Sequence, residues 1–139
     1  MSEPKSLDRA PRWRTPLVTL LIIAAVGILV WSQLPKGAYP TDLNLIGDGR
    51  PALVLAYDIN YAGGMQVMEL MNAIRAEYAD RAQFIVAHLG TPDGQAFADR
   101  HRIGDGTVMM FAGDGAHVET SHLPRTHDEL RGVIDSALR

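Results

Sequence analysis

Residues 51–78, PALVLAYDINYAGGMQVMELMNAIRAEY, decide the fold. Pro51 opens the unbroken apolar run Ala52-Leu53-Val54-Leu55-Ala56-Tyr57. A run this short, bounded by turn residues, predicts a strand buried on both faces. Gly63-Gly64 then reads as a break in the chain. After it Val67, Leu70, Met71, Ile74 and Tyr78 recur at helical spacing, with Gln66, Glu69, Asn72 and Arg75 between them. That pattern predicts an amphipathic helix with one face against a sheet.

Downstream, Phe84-Ile85-Val86-Ala87 predicts a second buried strand. Thr91-Pro92 predicts a helix start, with Thr91 as cap and Pro92 at the first helical position, and the helix is expected to stop near Ile103-Gly104. Thr107-Val108-Met109-Met110-Phe111 predicts a third strand. The Gly113-Asp114-Gly115 turn joins it as a hairpin to a fourth, around His117 to Thr120. Thr126-His127-Asp128-Glu129 is a capping box that opens a last helix with the stripe Leu130, Val133, Ile134, Ala137 and Leu138. Two strands separated by a helix imply a parallel crossover, and the hairpin adds an antiparallel edge. The class is α/β, a mixed sheet with helices on both faces.

Upstream, no charged residue lies between Arg14 and Lys36. The 21 residues between them would make a helix about 32 Å long, against a hydrocarbon core of about 30 Å. Trp13 and Trp31 stand near the two ends, where indole favours the lipid–water interface, and Arg14 and Lys36 flank them as further anchors. A cleaved leader is the alternative, but Gln33-Leu34-Pro35-Lys36 lacks the small residues of a cleavage site. Lys5, Arg9, Arg12 and Arg14 precede the span, which places the N-terminus in the cytoplasm and the rest in the periplasm of a bacterial inner membrane. The expected organisation is a basic tail over 1–14, a transmembrane helix over 15–35, a linker over 36–49 and one globular domain over 50–139. From Lys36 onward 9 basic and 14 acidic residues leave a net charge of −5. A nucleic-acid partner needs a clustered basic face, so that class is set aside.

The order of elements resembles the thioredoxin fold over about Arg50 to Leu138. The landmarks are Leu53-Val54-Leu55-Ala56-Tyr57, the turn Asn60-Tyr61-Ala62-Gly63-Gly64-Met65 into a long helix, and Thr107-Val108-Met109-Met110-Phe111 followed by a glycine turn. The resemblance implies thiol–disulfide exchange by a Cys-x-x-Cys pair at the start of the long helix, a buried acid on the preceding strand and a cis-proline facing the pair. Here those positions fall on Tyr61 and Gly64, on Leu55 and on Gly106. The chain has no cysteine, so the resemblance implies the scaffold without the chemistry. The family's recognition surface would be carried by Ile59, Asn60, Tyr61 and Ala62 on one side and Asp105, Gly106 and Thr107 on the other.

The expected role is that of a non-catalytic accessory subunit, using a redox-dead domain for contact with the integral subunits of a membrane complex in a lipid bilayer. By analogy the host is an electron-transfer assembly, either a respiratory oxidase or a photosynthetic reaction centre with its antenna. No cofactor and no small-molecule substrate are expected. The alternative is a periplasmic chaperone for copper or haem maturation using Met and His ligands, with Met65 and Met68, and Met71 beyond them, as the soft ones. Methionines at this spacing also serve as core filler. The five histidines form no metal-binding spacing. The three Gly-Asp-Gly tripeptides, at 47–49, 104–106 and 113–115, read as turns.

Overall fold

The structure is a computed structural model that describes residues 14–33 and 37–139, with side chains for 15–30 and 37–139. Two compact units divide at Gly37 and Ala38. Among the described residues the first holds the helix α1 (Arg14–Gln33), whose large apolar side chains from Leu17 to Val30 are more than half exposed. Thr19 donates its hydroxyl to the carbonyl of Thr15 at 2.9 Å, so the one polar group in the apolar run is satisfied within the helix. Among the described residues no helix is long and apolar enough to cross a membrane. The side chains described in α1 are those of 15–30, so the C-terminal end of the span 15–35 read from the sequence lies outside them, and so do the anchors Trp13, Arg14, Trp31 and Lys36.

The second unit runs β1 (Ala52–Tyr57), α2 (Ala62–Ile74), β2 (Gln83–His88), α3 (Pro92–His101), β3 (Thr107–Phe111), β4 (His117–His122) and α4 (His127–Ser136). The sheet order is β2-β1-β3-β4. Strand β1 lies at its centre, parallel to β2 with Leu53 beside Phe84 and antiparallel to β3 with Leu53 beside Met110. The β3–β4 hairpin is antiparallel, with an irregularity between Met110 and Phe111. Successive side chains of a strand face opposite ways, and both faces here are covered. Leu53, Leu55, Val86, Val108 and Met110 pack under α2 and α4, whereas Val54, Ile85, Met109 and Phe111 pack under α3. This double burial is why β1 and β3 read as continuous apolar runs.

Three boundaries differ from the sequence reading. Residues 38–49 are part of the compact unit, not a linker: Tyr39 is buried against Phe84, its hydroxyl donates to Asn72 at 2.7 Å, and Val86 donates its amide to the Pro40 carbonyl on the β2 edge. The pattern of Pro, Gly and Asp concealed one aromatic that finds a core site. Helix α3 ends at His101, with Arg102 in the left-handed conformation at φ 54°, short of Gly104. Helix α2 begins at Ala62, so Gly63 and Gly64 lie within its first turn and do not break the chain before it. The capping box of α4 holds, although Glu129 reaches back one residue further, to the Arg125 amide.

Candidate functional site

The pole where β1 runs into α2 is built around a helix that cannot cap itself. Tyr61 is the N-cap of α2, in extended conformation, and its side chain offers no acceptor to the helix. An N-cap side chain ordinarily satisfies the amide two or three residues on. Here the Gly64 amide, at that third position, donates instead to Asp105 Oδ2 at 2.7 Å, a residue 41 positions downstream. The other carboxylate oxygen, Oδ1, accepts from the Asp58 amide at 2.8 Å. A single carboxylate therefore ties the end of β1 and the first turn of α2 to the loop before β3. The helix macrodipole favours a negative charge at this place.

The glycines make room for it. A Cβ on Gly64 would lie 2.3 Å from Asp105 Oδ1 and 2.9 Å from Tyr57 Cδ2, and one on Gly63 would lie 2.7 Å from Leu123 Cδ2. Tyr57 in turn meets His88 edge-on at 5.5 Å. Leu123 is a non-glycine residue at positive φ, 48°. Its amide donates to the Gly106 carbonyl at 3.1 Å, while the Gly106 amide donates to Ala56. Both backbone groups of Gly106 are thus engaged inside the fold.

The residues singled out from the sequence divide at this point. Ile59, Asn60, Tyr61 and Ala62 are exposed. Asp58 folds its carboxylate onto the Asn60 amide and side chain, which fixes the turn that presents Ile59 and Tyr61. On the opposite side Asp105 is turned inward as described, Gly106 is buried, and Thr107 is 4 % exposed with its hydroxyl 3.2 Å from His122 Nδ1. Leu123, which the sequence reading did not single out, lies over them. The only forewarning in the sequence is a helix start whose cap residue lacks an acceptor. Such a helix needs one from elsewhere, but nothing local says from where.

Among the described residues outside α1, the exposed large apolar side chains are Ile59, Tyr61, Met65, Leu123 and Val118, and all but Val118 belong to the start of α2, the turn before it, or the residue lying on Gly63. Beside them a groove of about 500 Å³ runs between Val67, Leu70 and Glu69 of α2 and the Leu123-Pro124-Arg125 loop. The three methionines do not converge: Met65 is 53 % exposed, Met68 packs on the core and Met71 is fully buried in it. No group of three or more His, Asp or Glu residues suited to a metal forms among the described residues.

With the sheet order and this pole in view, solved structures provide the comparison. The crystal structure of Trxlp from Edwardsiella tarda EIB202 superposes with a TM-score of 0.59 at 15 % identity, covering 70 % of this chain and 99 % of that one. The solution structure of a thioredoxin from Thermus thermophilus superposes with a TM-score of 0.53 at 19 % identity, covering 68 % and 80 %. The chain has the thioredoxin-like fold. No family model matches it, and no curated protein does. In this thioredoxin-like chain Leu55 is fully buried where the resemblance implies an acid, and Gly106 at φ 80° faces Gly63 where it implies a cis-proline. No cis peptide bond occurs among the described residues. Without a cysteine the 139 residues supply no sulfur for disulfide exchange.

Proposed function

We propose that this chain is a membrane-anchored, non-catalytic accessory subunit of a bacterial inner-membrane complex, and that it docks through the degenerate pole at the start of α2. The observation behind the reading is the concentration of exposed Ile59, Tyr61, Met65 and Leu123 in one place on a unit whose remaining large apolar side chains, Val118 aside, are buried or half-buried. Apolar patches of this kind mark interaction sites. Tyrosine offers a large, stiff contact at low entropy cost. The partner surface would be apolar and close-fitting, because Ala62 and Gly63 beside Tyr61 leave little relief.

The anchor reading rests on the uncharged stretch between Arg14 and Lys36 and on the helical state of Arg14–Gln33. The 21 uncharged residues of that stretch would extend about 32 Å as a helix, against a hydrocarbon core of about 30 Å. The basic residues before it favour a cytoplasmic N-terminus and a periplasmic second unit. An electron-transfer assembly as the host is a reading by analogy, and the acidic outer unit would suit a basic neighbour.

Affinity purification of the full chain from membranes in mild detergent tests the proposal. Integral membrane subunits should co-purify, and Tyr61→Ala should weaken that association by at least about 1 kcal/mol with the thermal midpoint of the outer unit nearly unchanged. A stable Tyr61→Ala protein that retains every partner would overturn the docking role. Recovery of the chain in the soluble fraction, shortened at its N-terminus, would overturn the anchor.

A further inference from the structure

We infer that Asp105 is the resident anion of the α2 N-terminus: its carboxylate has taken over the amide and the electrostatic potential that would serve a thiolate there, so the pole is closed to thiol chemistry even when a thiol is put back.

The inference stands on geometry. The resemblance places the nucleophilic position at Tyr61, the N-cap of α2. A negative sulfur at an N-cap is stabilised by the free amides of the first turn and by the macrodipole, and its pKa falls for that reason. The amide that such an atom would use, that of Gly64, is already bonded to Asp105 Oδ2 at 2.7 Å. The Asp58 amide at the end of β1 is taken by the other oxygen. What remains at the pole is a carboxylate, whose like charge disfavours a second anion. The space is taken as well, since a Cβ at Gly64 would lie 2.3 Å from Asp105 Oδ1. Asp105 and the glycines are thus one substitution in physical terms, a charged side chain inserted from the β3 loop where a pair of sulfurs would need room.

The absence of native cysteine makes the test clean, because Tyr61→Cys introduces the only thiol in the chain. The full chain, in detergent, is titrated by the rate of iodoacetamide alkylation against pH. With Asp105 in place the midpoint should stay near the ordinary thiol value of about 8.5. Adding Asp105→Asn, which keeps the size and removes the charge, should lower the midpoint by about one unit or more. Alkylation at pH 7 should then rise about three-fold, the gain in thiolate being partly offset by its lower nucleophilicity. Asp58→Asn in the same Tyr61→Cys background removes a nearby charge that bonds only to Asn60, and should move the midpoint much less. A midpoint below about 7.5 with Asp105 intact would overturn the inference, and that arm decides alone if Asp105→Asn does not fold. Equal shifts from Asp58→Asn and Asp105→Asn would also overturn it, because general charge would then be the cause.

Discussion

Gly64→Ala should reverse sign according to what stands at position 105. In the native chain the added methyl would lie 2.3 Å from Asp105 Oδ1, so the carboxylate has to withdraw by roughly 1 Å to reach ordinary contact. The bonds to the Gly64 and Asp58 amides, now 2.7 and 2.8 Å, break with it. The site is partly open to water, which offsets some of the loss, and two charge-assisted bonds there are together worth about 2 kcal/mol. Alanine returns about 0.5 kcal/mol in the first turn of a helix, less than in its interior. The net is a loss of about 1.5 kcal/mol, or about 6 °C in the midpoint of a unit of this size. Asp105→Ala should cost about 2 kcal/mol by itself. In that background the clash with Asp105 is gone and only the Tyr57 Cδ2 contact at 2.9 Å remains for the ring to relieve, so Gly64→Ala should be neutral or stabilising by up to about 0.5 kcal/mol. The coupling between the two positions is therefore about 2 kcal/mol. Both tryptophans, Trp13 and Trp31, precede the second unit, so their fluorescence does not report on it. Unfolding of the four variants is better followed by tyrosine near-UV circular dichroism, since all four tyrosines lie at or beyond residue 39. Equal losses from Gly64→Ala with and without Asp105 would refute the reasoning and shift the cause to Tyr57, whose Cδ2 lies 2.9 Å from the same point.

Gly94→Ala should be the most damaging glycine substitution in the unit, costing about 3 kcal/mol in denaturant unfolding, because its Cβ would lie 2.0 Å from the His88 carbonyl oxygen, a backbone atom. Tyr39→Phe should cost about 1 kcal/mol through the lost bond to Asn72. Tyr39→Ala should cost about 3 kcal/mol, whereas a true linker residue would leave the midpoint unchanged. His101 packs at 4.5 Å from Phe97 and 5.8 Å from Phe111, and its pKa is lowered by burial first and then by Arg100 and His117. The unfolded chain therefore takes the proton before the folded one does. The stability that His101 contributes is complete above about pH 6.5 and declines as pH falls through the folded value. His101→Gln should flatten that part of a stability profile measured between pH 7 and 5.

The sheet was legible because burial on both faces leaves its mark directly in the residues. Leu53 and Leu55 serve one core, Ala52 and Val54 the other, so β1 reads as an unbroken apolar run, and β3 does the same. Helix starts were legible where the cap is local, as at Thr91 and Thr126, whose hydroxyls accept from amides three residues on. The start of α2 was misread because its cap comes from 41 residues away, and two glycines without a visible acceptor read as a break. The Gly106 and Thr107 surface was misread for a related reason: Leu123, at the far end of the β3–β4 hairpin, closes over it.

The three Gly-Asp-Gly tripeptides separate what the sequence by itself determined from what only the tertiary structure decided. All three were read as turns. At 47–49 and 113–115 the aspartate accepts from the amide two residues on, Arg50 at 3.1 Å and Ala116 at 2.9 Å, which is local turn chemistry that any such tripeptide can form, and Asp48 keeps that bond while also accepting from Gln83 Nε2 at 3.0 Å. At 104–106 the same three residues do something else. Asp105 turns away from its own loop and bonds Asp58 and Gly64, because β1 and β3 are neighbours in the sheet and bring the start of α2 within reach. A local pattern can specify a turn. Which amide a carboxylate finds depends on which strands lie side by side, and that is a property of the packed chain.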